Sequence, residues 1–141
     1  MSHEPQFIDA HEPAWPSIDE WRAAGAPAGG RVSIANTLDP ESLRADLPRL
    51  AAIGLHFPKW TDGRAYSQAR LLRVRLRFAG EIRATGDVVV DMVPLLVRTG
   101  FDAVQLRDGQ QPGHARRALG FFDGHYQGDV HEPRPWFARA A

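Results

Sequence analysis

One lysine stands alone among 17 basic side chains, Lys59 in the stretch His56-Phe57-Pro58-Lys59-Trp60-Thr61-Asp62-Gly63-Arg64-Ala65-Tyr66-Ser67-Gln68. A lysine whose ammonium is desolvated gives up its proton readily and can form a Schiff base. The same stretch sets Asp62, Arg64, Ser67 and Gln68 around the start of an expected helix. Free backbone N–H groups and the positive end of the helix dipole favour an anion at such a place. Arg64 can add a two-pronged clamp on a carboxylate, sulfate or phosphate. A second group, Arg83, Thr85, Gly86 and Asp87, falls at the end of the next expected strand, and Arg107 at the end of the one after. Asp87 or Lys59 could serve as a base, with Arg64 and Arg83 holding an acidic substrate. His56 sits between Leu55 and Phe57 and reads as a core histidine, its polar direction leaving an acid–base role open.

Each of these residues also has a purely structural reading. Asp62-Gly63 is a turn signal that needs no ligand. Ser67 can be a cap, and Asp87 is a good N-cap for the helix that follows. Asp87 with Asp91, four residues apart, can form a solvated or Arg-paired face, and Arg83 can pair with Asp87. Taken together, the polar residues at adjacent strand ends predict a ligand site there.

Other chemistries lack their residues. The chain has no cysteine, which excludes thiolate catalysis, thiol redox chemistry, disulfides and cysteine-held iron–sulfur clusters. It has no P-loop, GxGxxG, GxSxG or HExxH segment. Its 17 basic and 17 acidic residues cancel, which argues against general nucleic-acid binding. The basic side is arginine apart from Lys59, through genome composition or through sites that need forked donors. His-Glu-Pro occurs at residues 3–5, 11–13 and 131–133, with Trp15 and Trp136 near two of them. Nothing in that spacing makes four ligands converge, so no metal site is expected.

The elements that must position the candidates follow from local signals. The 141 residues, 43% hydrophobic, suit one domain with a real core. No apolar run approaches the length of a membrane span, and no signal-peptide pattern opens the chain, so a cytoplasmic protein is expected. Residues 1–30 read as an N-terminal arm, with a capping box from Ser17 to Glu20 opening a short helix and a Gly-rich flexible link behind it. Residues 31–127 read as a single βα domain and 128–141 as a C-terminal tail. Strands are expected at 32–35, 53–57, 81–85 and 103–107. Helices are expected at 41–50, 66–78, 88–99 and 113–126, the third containing Pro94, where a kink would move Asp91 relative to Asp87. About four βα units in series give a parallel sheet. The strands alternate, with Val32, Ile34, Ile53, Leu55, Phe57, Ile82, Ala84, Val104 and Leu106 on one face and Ser33, Gly54, His56, Arg83, Thr85, Gln105 and Arg107 on the other. Helices on one face and a polar second face fit half of a (βα)₈ barrel. The alternative is a flavodoxin-like three-layer sandwich. A half barrel leaves an open face, to be covered by the arms with their tryptophans or by a second copy of the chain.

The segment from Phe57 to Arg73, FPKWTDGRAYSQARLLR, resembles the signature of a bacterial domain-of-unknown-function family, number 934. The segment from Gly80 to Val88, GEIRATGDV, resembles that family's second motif, and Asp91 and Gly100-Phe101-Asp102-Ala103 match its downstream pattern. The resemblance covers roughly residues 32–127. Trp60 and Ala65 replace the family's Phe and Gly. The resemblance implies an oxidoreductase or accessory protein of assimilatory sulfite reduction. Without cysteine, an Arg-lined anion site is the reading that fits it best.

Three functions follow as expectations. The first is an accessory protein of sulfite or sulfate reduction that binds an anion or acidic ligand through Asp62, Arg64, Ser67, Gln68, Arg83 and Arg107, with Lys59 and Asp87 as catalytic candidates. The second is a small lyase or isomerase acting on an acidic metabolite. The third is a non-enzymatic partner subunit of a sulfite or phosphosulfate reductase. A homodimer is expected, with no nucleic-acid or membrane partner. No cofactor is readable.

Overall fold

The computed structural model of the chain describes residues 4–121. Five strands form one sheet: β1 (Gln6–Ile8), β2 (Gly30–Ile34), β3 (Leu50–Phe57), β4 (Glu81–Gly86) and β5 (Ala103–Gln105). All pairings are parallel, and the spatial order is β1-β5-β4-β3-β2. β2 to β5 therefore lie in sequential order, as in a run of barrel strands. The register sets Ile53 beside Val32 and Ile82, and Ala84 beside Leu55 and Val104. Those side chains all face one way and are completely buried. Against them pack Ala65, Ala69 and Leu72 from α2 (Arg64–Arg70) and its continuation, Val93, Leu96 and Val97 from α3 (Val93–Arg98), and Ala115 and Leu119 from α4 (Pro112–Phe121).

The expected helices are shorter than their periodicity suggests. In place of a helix at 41–50 there are two 3₁₀ turns, Pro40–Leu43 and Leu47–Arg49, and Leu50 already opens β3. Asp39 accepts from the N–H of Glu41 to cap the first, and Pro48, which has no N–H to give, falls in the second. The helix expected at 66–78 is α2 widened into a π-helical stretch, Leu71–Arg75, with Arg77 in the left-handed region at φ 56°. Its N–H donors reach five residues back, Leu76 bonding the carbonyl of Leu71 at 2.9 Å. The third expected helix is a 3₁₀ turn, Val90–Met92, followed by α3. Pro94 falls in the first turn of α3, where its missing N–H costs nothing, so it starts this helix rather than kinking it. The last strand stops at Gln105, and the N–H of Arg107 bonds Val88 instead. Residues 122–126 of the last expected helix lie outside the described residues.

The fifth strand comes from the arm. Phe7 lies beside Val104, so β1 extends the sheet beyond β5. The chain then crosses the polar face of the sheet to its opposite edge. There the N–H of Ser33 donates to Pro16 at 2.8 Å, and Ser17 bridges Ser33. α1 (Ile18–Ala23) follows, with the Ser17–Glu20 capping box present and with Ile18 and Trp21 buried in the core. Five strand spacings of about 4.8 Å make roughly 24 Å, within the ~30 Å that nine extended residues can span. Gly30 lies under Trp21, where a Cβ would sit 2.2 Å from the indole nitrogen.

Candidate functional site

The strand-end loops are fastened in series. After β2, the Asn36 side-chain amide donates to Asp62 at 2.8 Å, and Gln68 donates to the carbonyls of Ala35 and Leu38, both at 2.9 Å. After β3, the backbone N–H of Trp60 donates to Asp87 Oδ2 at 2.8 Å. After β5, Arg107 Nη1 donates to Asp87 Oδ1 at 2.7 Å. One carboxylate thus joins three loops. Its backbone is set by Gly86, at φ 93°, where a Cβ would sit 2.4 Å from the carbonyl oxygen of Phe57. A side chain there would collide with fixed backbone, so glycine is required.

Electrostatics follow from these contacts. The Arg107 guanidinium and the Trp60 N–H hold the Asp87 carboxyl below the usual carboxylate range. The Arg64 N–H, with help from Asn36 and the Arg64 charge, does the same for Asp62. The lowered pKa keeps both ionised at neutral pH, which suits Asp62 to hold its loop and Asp87 to hold loops and orient Arg107. Burial pushes the Tyr66 hydroxyl up to about 12, so it stays protonated at neutral pH. Its ring packs edge-on against Phe57 and Phe101.

A cleft of about 490 Å³ opens at the carboxyl ends of β3, β4 and β5. It is lined by Trp60, Val89, Val90, Asp91, Arg107, Gly109, Gln110, Gln111 and His114. Arg107 is half-exposed and held from one side by Asp87, which leaves the rest of its fork for the cleft. A smaller cavity of about 270 Å³ lies between the arm and the sheet, with His56, Thr85, Gln105 and Arg107 in its wall.

The sequence-predicted site residues divide among four places. Asp87 and Arg107 come together beside the larger cleft. Asp62, Arg64, Ser67 and Gln68 gather on the β2–β3 side. There Arg64 is exposed with its Nε 3.7 Å from Asp62, Ser67 is exposed, and Gln68 is buried with its carbonyl oxygen unpartnered among the described residues. Lys59 is exposed in the loop between and lines neither cavity.

Arg83 lies elsewhere, under the arm on the polar face. It is 7% exposed, bonded to Glu12 at 3.2 Å and Glu81 at 3.0 Å, with its guanidinium 4.2 Å from the Trp15 ring centre. Sequence reasoning did not assign Trp60, Gln110, Gln111 or His114 to a site. The rule that ligands bind at strand carboxyl ends applies equally to the loop after β5 and could have found them. That loop reads as a plain turn because Gly109 and Pro112 dominate it.

The segments that carry the family resemblance meet in space. Arg73 binds Asp102, and the same carboxylate accepts from the N–H of Ile82 at 3.0 Å. No curated protein and no solved structure is found to match. The family model described as "Bacterial protein of unknown function (DUF934)" matches residues 31–137. Motif residues that fasten one another across three strands, and a match over most of the chain, place this protein in that bacterial family, domain-of-unknown-function family 934.

Proposed function

We propose that the protein is an accessory factor of assimilatory sulfite or sulfate reduction that binds a small acidic ligand in the cleft after β3, β4 and β5. The observation that carries the binding part is Arg107, oriented by Asp87 and half-exposed in a cleft at the carboxyl edge of a parallel sheet. The sulfur context comes from the family resemblance, and the absence of cysteine makes binding a better reading than thiol reduction. Asp87 as catalytic base has less support, since its carboxylate is already engaged twice and its pKa is lowered.

Thermal unfolding of the full chain with sulfite and sulfate tests the site. Both should raise the melting temperature; Arg107→Ala should abolish the rise and Arg64→Ala should keep it. A rise that survives Arg107→Ala would place the ligand elsewhere. Co-purification with a sulfite or phosphosulfate reductase tests the pathway.

A further inference from the structure

We propose that the preferred ligand of this cleft is an anion carrying a planar aromatic ring, of the nucleoside monophosphate class, a bare oxyanion filling only the Arg107 end. This rests on the reading of the Arg107 cleft as an anion site. Volume is the first argument. The cleft measures about 490 Å³, whereas an inorganic oxyanion displaces about two waters, on the order of 60 Å³. Cavities of the observed size hold small organic molecules.

The second argument is Trp60. Its side chain lines the cleft and is 54% exposed, while its backbone N–H is pinned to Asp87 at 2.8 Å. An indole held by its backbone at a polar cleft offers a flat apolar face on which a ring can stack. The third argument is the mixture of charges. Asp91 lines the same cleft as Arg107. A bare oxyanion makes no use of the Asp91 carboxylate, which accepts from hydroxyl or amino groups. Gln110 is fixed through its side-chain oxygen to the N–H of Val90 at 2.9 Å, which leaves its amide N–H₂ to donate. An anionic end for Arg107, a ring for Trp60 and hydrogen-bonding groups for Asp91 and Gln110 describe one molecule.

Calorimetric titration of the full chain with inorganic sulfate, ribose 5-phosphate and adenosine 5′-monophosphate tests this. The monophosphate of adenosine should bind about tenfold more tightly than ribose 5-phosphate, the expected worth of one stacked ring. Trp60→Ala should erase that difference and leave ribose 5-phosphate binding unchanged, while Trp60→Phe should keep most of it. Far-UV circular dichroism checks that the variants fold. Equal affinity for the two phosphates overturns the ring and leaves the anion site standing. A tenfold preference that survives Trp60→Ala overturns the assignment of the ring to this cleft. Failure of all three probes to bind overturns both readings.

Discussion

Asp87 is the residue on which the strand-end architecture turns. Its two oxygens are taken by different loops, through the N–H of Trp60 and the guanidinium of Arg107. These bonds favour the ionised form, so the native pKa lies below that of an unfolded aspartate. The sign of the pH effect follows. The unfolded chain binds this proton more readily, so the contribution to stability is fully present above about pH 4 and is lost as pH falls through the lowered native value. An amide-detected NMR titration should show the Trp60 N–H moving with a midpoint below that of a free aspartate. In Asp87→Asn that transition should vanish. A midpoint at or above the free value would mean that the carboxylate does not hold the two loops.

At the scale of elements, the π-helical turn after α2 has an identifiable use. It brings Arg73 to the amino side of the sheet, where the guanidinium donates to the carbonyls of Gly100 at 3.0 Å, Phe78 at 2.8 Å and Gly80 at 2.6 Å as well as to Asp102. Burial lowers the Arg73 pKa, and Asp102 opposes that shift. Four acceptors on two segments, residues 78–80 before β4 and 100–102 before β5, make the side chain a cross-brace between the helix layer and the starts of these strands. Removing the buried arginine leaves three carbonyls without this donor and Asp102 with only the Ile82 N–H. Arg73→Ala should therefore lower unfolding free energy by about 3 kcal/mol in urea denaturation. Arg73→Lys should rescue only part, because an ammonium cannot reproduce the fork. A loss under about 1 kcal/mol, the range of an exposed pair, would show that the brace is not needed.

At the scale of the molecule, one segment closes the sheet. Residues 9–17 run from the β1 edge to the β2 edge across the polar face. Gln105 donates to the carbonyls of Asp9 at 2.9 Å and Glu12 at 3.0 Å, Glu12 binds Arg83, and Trp15 stacks over Arg83 beside Gly54. The open face on which the dimer expectation rests is therefore crossed by the chain itself over Gln105, Arg83 and Gly54. Light scattering of the full chain should show a monomer. Trp15→Ala should cost about 2 kcal/mol, combining lost apolar contact with a lost cation–π contact, and should increase hydrogen exchange along β5. Unchanged exchange there would mean that the crossing segment does not protect the face. Of the three His-Glu-Pro segments, the one at 11–13 belongs to this crossing; the one at 131–133 lies outside the described residues, and so does His3 of the one at 3–5.

The alternating strands, the one-sided helices and the parallel order were legible because each rests on local periodicity: Val32, Ile34, Ile53 and Leu55 declare their face without knowledge of any neighbour. Asp62 and Asp87 were legible as special residues at loop starts, since Asp-Gly and Gly-Asp pairs mark turns by their own chemistry. Their partners were not. Nothing local links Trp60 to Asp87, Arg107 to Asp87 or Arg73 to Asp102, which lie 20 to 29 residues apart and meet only when parallel strands align. Gln6-Phe7-Ile8 is too short to show a period, and becomes a strand because β5 offers it an unpaired edge. Arg83, placed on the polar face by alternation alone, reads as a ligand clamp until the distant Glu12 and Trp15 close over it. Side-chain direction is a property of neighbouring residues and is written in the chain. Occupancy of a face is a property of what folds over it, and only the tertiary structure decides that.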